Sequence, residues 1–492
     1  MATDAQSTAR SELTADVVVI GGGPVGENVA QYAIEGTDLT AVIVEGELVG
    51  GECSYWACMP SKALLRPLAV ADTAAHLEGI TTPTLDRDAL LARRDEWVSH
   101  YDDSSQVEWA EGAGIEVVRG HGRLGGEREV LVEGADGTTV VRARRAVVLA
   151  TGSVPRIPAE LSALHPWTSR DATGVQEIPG ELVIVGGGVV AVEAATWMAA
   201  LGTRVTLLVR GEALLRGYEP FAGEHVLEAL TALGVDVQLG TSVVSGERSE
   251  GRDTGTGRVH GGRVSLQVED ADGGREVAAD ELLVATGRIP RLEDVGLESV
   301  GLIADDVTGA EKPVSDDATG APLPDWLHVV GDASGDAPLT HWGKYRARVI
   351  GQAIRAGATG EPLEPVLRSV PVPQVVFTDP QVATVGLTAE QAREAGHEVV
   401  IAQVPFGSAA GSGLLRDDVT GTAQIVVDVP ARTLLGATFV GPEASELLHG
   451  ATIAIVGQVP VPVLRHAVPS FPTASELWLR LLEELPRELR LP

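Results

Sequence analysis

Two cysteines stand in a chain of 492 residues, Cys53 and Cys58, both inside the stretch "GGECSYWACMPSKALL" with Lys62 just beyond them. A bridge between them closes so short a loop that it removes little entropy from the unfolded chain, so as a structural staple it stabilises little. The sharper chemistry for such a pair is reversible thiol–disulfide exchange, because in a reducing compartment close cysteines are more often catalytic, redox-sensing or metal-binding than structural. Two thiols with no neighbouring His make a poor zinc site, and no metal is assigned. Lysine occurs only at positions 62, 312 and 344, every other member of the Lys and Arg set being Arg. Lys62 is therefore read as chosen for a compact, tunable ammonium that a guanidinium does not offer. The plainer alternative is a solvated lysine on a helix.

The elements around these residues follow from pattern. "ADVVVIGGGPVGENVAQYAIEGTDLTAVIVEGE" reads as an apolar strand, a glycine turn, a helix and a second apolar strand ending at Glu45. In such a βαβ unit Gly21 makes the tight turn, Gly23 lets the backbone approach a pyrophosphate, and Gly26 lets the helix pack on the strand. Glu45 is spaced to accept ribose hydroxyls. The same pattern returns over residues 180–216, with Gly186 and Gly188 in the turn and Ala191 in the third glycine position. Two such units imply two cofactors. The second unit's last strand ends in Val209-Arg210 instead of an acid, so Arg210 and Arg216 can clamp a 2′-phosphate, favouring NADPH over NADH. The alternative is two solvated arginines with Glu212 as the ribose acid.

Composition narrows the class. The length suggests about three domains, and 44% apolar residues is ample for packed cores. A formal net charge of −32 argues against nucleic acid and anionic membrane as partners. Residues 1–14 lack the apolar core of a signal peptide, and no apolar run is long enough to span a bilayer, so a cytoplasmic protein is expected. The polar, glycine-rich stretch 245–263 reads as an exposed hairpin loop or a disordered insertion. From about Pro371 the chain turns β-rich, and a domain boundary is expected near residue 365.

Taken in order, the C-x-x-x-x-C-x-P-S-K element, the two glycine turns, "VVLATGSVPRIP", "LLVATGRIP", "LHVVGDASGDAPLTHW" and "FTDPQVATVGLT" resemble the FAD-dependent pyridine nucleotide-disulfide oxidoreductases. That family includes glutathione reductase, dihydrolipoamide dehydrogenase and mercuric reductase. The resemblance implies an α/β fold, with two Rossmann-like dinucleotide-binding domains and a C-terminal α+β dimerisation domain that forms a homodimer. The expected division is a disordered tail over 1–14, a first FAD-binding part over 15–170, an NAD(P)-binding domain over 171–290, a returning FAD-binding segment over 291–365 and a dimerisation domain over 366–492. Gly21, Gly23, Gly26, Glu45, Gly51, Gly122 and Thr151 would bind FAD, with Asp332 on its ribityl chain and Thr340 and Lys62 near its ring. Gly186, Gly188, Glu193, Arg210, Arg216 and Gly287 match the NADPH side.

The resemblance further implies a relay in which hydride passes from NADPH to the flavin and an electron pair opens a Cys53–Cys58 disulfide. Lys62 would pair with Glu193, Cys58 would face the flavin, and Cys53 would be the outer thiol. Tyr55-Trp56 inside the loop is unusual for the family and reads as packing ahead of a substrate contact. The family's catalytic base is a His in H-x-H-P-T-x-x-E, supplied by the partner subunit. Here the stretch is "LRHAVPSFPTASELW": matching Pro472, Thr473 and Glu476 puts Phe471 in the place of the base. Phe cannot transfer a proton, and such help is worth roughly 10²–10⁴-fold. The reading is an NADPH-dependent flavin oxidoreductase delivering electrons to a quinone, metal ion or other small acceptor. A disulfide reductase with a relocated base, for which His466 is the stand-in, and a non-catalytic redox sensor are the alternatives.

Overall fold

The computed structural model describes residues 11–308, 323–367 and 370–491, which pack as two compact units. The first comprises the described residues of Met1–Pro60, Asp95–Val154 and Arg288–Arg368. Its central strands β1 (Ser11–Ile20) and β2 (Ala41–Glu45) carry the continuous apolar runs 17–20 and 41–44, as parallel strands covered on both faces must. They are joined by helix α1 (Pro24–Ile34), whose start is favoured by Pro at its first position. With β3 (Ile115–Arg119), β4 (His121–Gly126), β5 (Glu129–Gly134) and β6 (Gly137–Leu149) the sheet runs β3-β2-β1-β6-β5-β4. β1, β2 and β3 are parallel, whereas β4, β5 and the first half of β6 form an antiparallel meander. The strand Leu327–Val329 pairs with the second half of β6, returning a distant segment to the same sheet.

One correction falls at the N-terminal end. Residues 11–14, expected in a disordered tail, belong to β1, where Ser11 pairs with Thr139 and Thr14 with Arg142. β6 is 13 residues long, and it offers β1 a partner over that extra length. Residues 1–10 of the expected tail lie outside the described residues.

The second unit comprises Ser61–Arg94, Pro155–Gly287 and Ser369–Pro492. It holds a four-stranded parallel sheet, ordered Asp236–Gln238, Arg204–Leu208, Glu181–Val185, Glu281–Val284. The helix Val189–Ala200 is buried almost all round, which its alanine-rich, largely uncharged sequence permits. Leu64, Leu65 and Leu68 join Trp167 and Trp197 in its core. A five-stranded antiparallel sheet and the amphipathic helix Glu476–Glu484 build a separate core around Phe406 and Phe439. No helix among the described residues is long and apolar enough to cross a membrane.

The stretch 245–263 is a further correction. It does join two antiparallel strands, Ser242–Arg248 and Val264–Asp270, but it is pinned, not loose. Arg248 makes a bidentate, fully buried pair with Glu281, at 2.8 and 2.7 Å. Glu281 also accepts the His260 amide at 2.7 Å, and Trp167 Nε1 donates to the Arg258 carbonyl at 2.7 Å.

Candidate active site

In the first unit the glycine turn after β1 is closed by backbone. Gly21 has φ +106°, and a Cβ there would lie 2.3 Å from the Ala150 carbonyl oxygen. A Cβ on Gly26 would meet the Gly21 oxygen, which is why only glycine fits. Gly23 caps α1, and the chain comes back against it: a Cβ on Gly51 would stand 2.6 Å from Gly23 Cα. This bare backbone at a helix N-terminus is the cradle that a pyrophosphate requires, so Gly21, Gly23, Gly26 and Gly51 fit the ADP half of FAD.

Glu45 sits at the end of β2 as expected, with Oε2 accepting the Gly22 amide at 2.6 Å and Oε1 the Glu47 amide at 2.7 Å. Burial raises its pKa, while those two amides act the other way. Gly122 has a packing reason of its own, since a Cβ would press to 2.7 Å from Val44 Cγ1. Thr151 Oγ1 donates to the Arg291 carbonyl at 2.6 Å.

Asp332 is held by residues that sequence reasoning missed. Ser153 Oγ donates to Asp332 Oδ2 at 2.5 Å, Arg288 Nε donates to Ser153 Oγ at 2.7 Å, and Arg288 pairs with Glu52 at 3.3 Å. Ser153 and Arg288 each follow the glycine of an "ATG" turn, and that shared position was the available signal. The network fixes the carboxylate that the resemblance places on a ribityl chain.

Gly51 opens the short helix α2 (Gly51–Tyr55), which carries Cys53, and Cys58 begins helix α3 (Cys58–Ala75). No disulfide joins Cys53 and Cys58 in this structure. Thr340 Oγ1 lies 3.4 Å from Cys58 Sγ. The hydrogen bond to Cys58, burial and the charge of Cys58 push the Cys53 thiol up, against the influence of Thr340 and Lys344. Tyr55 is buried, as the packing reading requires, and Trp56 packs between Tyr55 and Tyr101 at centroid distances of 5.6 and 6.3 Å.

In the second unit Lys62 Nζ donates to Glu193 Oε2 at 2.8 Å. Glu193 is 4% exposed, and its other oxygen accepts the Phe377 amide at 2.9 Å. The Phe377 ring lies 4.7 Å from Lys62 Nζ, so the ammonium is held by a carboxylate and a π-face together. Phe377 opens the "FTDP" motif, yet its contacts with Lys62 and Glu193 were not foreseen.

The second glycine turn repeats the first. Gly186 has φ +142° with its Cβ direction blocked by the Ala285 carbonyl, Gly188 caps the Val189–Ala200 helix beside open space, and Gly287 has φ +125°. Ala191 is buried in the third position. Arg210 and Arg216 are exposed, and neither pairs with a carboxylate among the described residues. Glu476 is 8% exposed at the start of its helix with Oε2 unpartnered, and Phe471 is 77% exposed.

Residues 15–347 match the pyridine nucleotide-disulphide oxidoreductase family and residues 372–481 match that family's dimerisation domain. The chain belongs to this family and is an FAD-dependent NAD(P)H oxidoreductase. It is 34% identical over 482 residues to a dihydrolipoyl dehydrogenase of Haloferax volcanii, covering 95% of each chain. It is 30% identical over 450 residues to a mercuric reductase of Staphylococcus aureus, covering 89% of this chain and 77% of that one. Among solved structures, the HOCl-induced flavoprotein disulfide reductase RclA of Escherichia coli, as its Cu(II) complex, shares the fold. Its TM-score is 0.79 at 22% identity over 96% of this chain and all of that one.

Proposed function

We propose that this enzyme takes hydride from NADPH onto FAD and passes electrons, from the flavin to a quinone or from the Cys53–Cys58 dithiol to a metal ion, to a small acceptor other than a disulfide. The bound flavin supplies the exchange between a two-electron hydride donor and a dithiol. The chain's own residues do the rest. Lys62, anchored by Glu193 and the Phe377 ring, would supply a fixed positive charge for the flavin ring, and Asp332 would hold the ribityl chain. Arg210 and Arg216 hold the 2′-phosphate. Cys58 serves the flavin, and Cys53 serves an acceptor that draws on the dithiol. A homodimer formed through the C-terminal domain is part of this reading, as are the domain limits set out from the sequence, with the first FAD-binding part beginning at Ser11.

The observation that carries the reading is Phe471. Matching Pro472, Thr473 and Glu476 to the family motif puts its ring in the place of the base, and Glu476, the carboxylate suited to orienting an imidazole, has an oxygen with nothing to bind. The relatives named dihydrolipoyl dehydrogenase favour the second reading, a disulfide reductase with its base elsewhere. Anaerobic turnover of NADPH with quinones, metal ions, oxidised glutathione and lipoamide separates them. The proposal expects quinone or metal-ion turnover well above disulfide turnover. Fast reduction of lipoamide or glutathione, abolished by His466→Ala, would replace it with the second reading.

A further inference from the structure

Three successive residues that are not glycine, Ser99, His100 and Tyr101, stand at φ +50°, +51° and +60°. This is the left-handed region, where a Cβ crowds the following carbonyl, and residues with side chains enter it singly and not in runs. Here the run makes one left-handed turn, with the Tyr101 amide on the Val98 carbonyl and the Asp102 amide on the Ser99 carbonyl, both at 2.9 Å. A second local preference is given up two residues on. Asp103 is the N-cap of the helix Ser104–Gly112, where a carboxylate ordinarily accepts an amide of the first turn, yet its side chain caps nothing there.

Both departures end on the loop that carries the cysteines, inside the first unit. Asp103 Oδ2 accepts the Val49 amide at 2.7 Å and Arg119 Nη2 at 2.6 Å, and Arg119 Nη1 donates to the Glu47 carbonyl at 2.9 Å. The left-handed turn delivers the Tyr101 ring to Trp56, with 6.3 Å between centroids and 30° between planes, and Trp56 in turn meets the buried Tyr55. Val49 lies four residues before Cys53 and Trp56 three residues after it, between the two cysteines. The segment 99–103 therefore grips the loop on both sides of Cys53. Strained backbone persists only where its surroundings over-determine it, and it gathers at functional sites.

We propose that Tyr101 and Asp103 are positioning residues that hold Cys53 within bonding reach of Cys58 and so set the equilibrium between the dithiol and its disulfide. The inference rests on the reading of Cys53 and Cys58 as a redox pair. Two thiols held side by side act as a high effective concentration of one for the other, which favours the disulfide. A loop free to carry Cys53 away favours the dithiol. With oxidised dithiothreitol as the oxidant, the two S–H bonds of the pair break and one S–S bond forms. The two electrons and two protons pass to dithiothreitol, whose own S–S bond opens.

The test equilibrates the holoenzyme anaerobically in dithiothreitol buffers of graded oxidised-to-reduced ratio, traps free thiols with N-ethylmaleimide, and reads the peptide bearing both cysteines by mass spectrometry. Thermal unfolding is recorded on the same samples. Tyr101→Ala should raise the dithiol-to-disulfide ratio in a given buffer roughly tenfold, which is about 30 mV for a two-electron couple. Trp56→Leu removes the same ring contact from the other side and should shift the ratio the same way, as should Asp103→Ala. Tyr101→Phe keeps the ring and should restore the wild-type ratio. A residue that only stabilises the fold lowers Tm and leaves the ratio where it was; that result in Tyr101→Ala and Trp56→Leu overturns the proposal, as does a shift toward the disulfide. A wild-type protein in which Cys53 and Cys58 join in no buffer overturns the redox-pair reading itself, and it is told apart because the wild type alone reveals it.

Discussion

Glu193 spends both carboxylate oxygens within its own unit, one on Lys62 Nζ at 2.8 Å and one on the Phe377 amide at 2.9 Å. A carboxylate this buried depends on its partners, because the cost of removing it from water is otherwise unopposed. Lys62→Met should therefore destabilise by about 2–3 kcal/mol, below the full cost of a broken buried pair, since the lysine head reaches water. Lys62→Met/Glu193→Gln should recover part of that loss. Urea unfolding of the two single variants and the double variant measures the coupling, and additive losses would mean that the pair contributes nothing beyond its separate contacts.

On the proposed reading, coenzyme choice turns on Arg210 and Arg216, both exposed and neither paired with a described carboxylate. Replacing Arg210 and Arg216 by Gln should raise KM for NADPH by roughly 10–100-fold for each charge-assisted contact, at about 1.5–3 kcal/mol apiece. KM for NADH should move little. Equal changes for both coenzymes would place Glu212 in the ribose role and leave the arginines as solvated side chains.

A carboxyl cluster predicts how stability varies with pH. Arg416 Nη1 bonds Asp72 at 2.6 Å and Asp379 at 3.1 Å, and His76 stands 3.5 Å from Asp72 and 3.6 Å from Asp418. Burial, with Asp72 adding to it and Arg416 opposing, pushes Asp379 up to about 7. Between its ordinary value and about 7 the folded protein holds a proton that the unfolded chain has released, so stability falls as pH rises through that window. Thermal unfolding should give a higher Tm at pH 5 than at pH 7.5, and Asp379→Asn should flatten the difference. Glu27, raised for the same reason of burial, contributes a slope of the same sign.

The sequence made the glycine turns legible because each is local: strand, turn and helix lie within one short window, and the steric reason for glycine is written in it. The pairing of Lys62 with Glu193 could come only from resemblance, since 131 residues separate the two. Ser153 and Arg288 went unnoticed because their purpose depends on Asp332 and Glu52, far along the chain. The 245–263 stretch misled for a related reason. Polar, glycine-rich composition reads the same whether its charges face water or, like Arg248, a buried Glu281. The early start of β1 was likewise hidden, because it depends on the length of its neighbour β6 and not on its own residues.

The strongest test of the acceptor reading is to supply what Phe471 lacks. Phe471 is 77% exposed in the single chain, and Glu476 has an unpartnered oxygen that could orient the imidazole of Phe471→His. If the absent base is what limits disulfide reduction, turnover of oxidised glutathione or lipoamide should rise by something approaching 10²-fold, with a pH profile bending near the imidazole's pKa. Quinone turnover should stay level, since electrons leaving the flavin need no proton relay at Cys53, and Cys53→Ser should spare it while abolishing the gained disulfide activity. An unchanged disulfide rate in Phe471→His, with the protein folded and its flavin bound, would show that the acceptor site excludes disulfides for a reason other than the missing base.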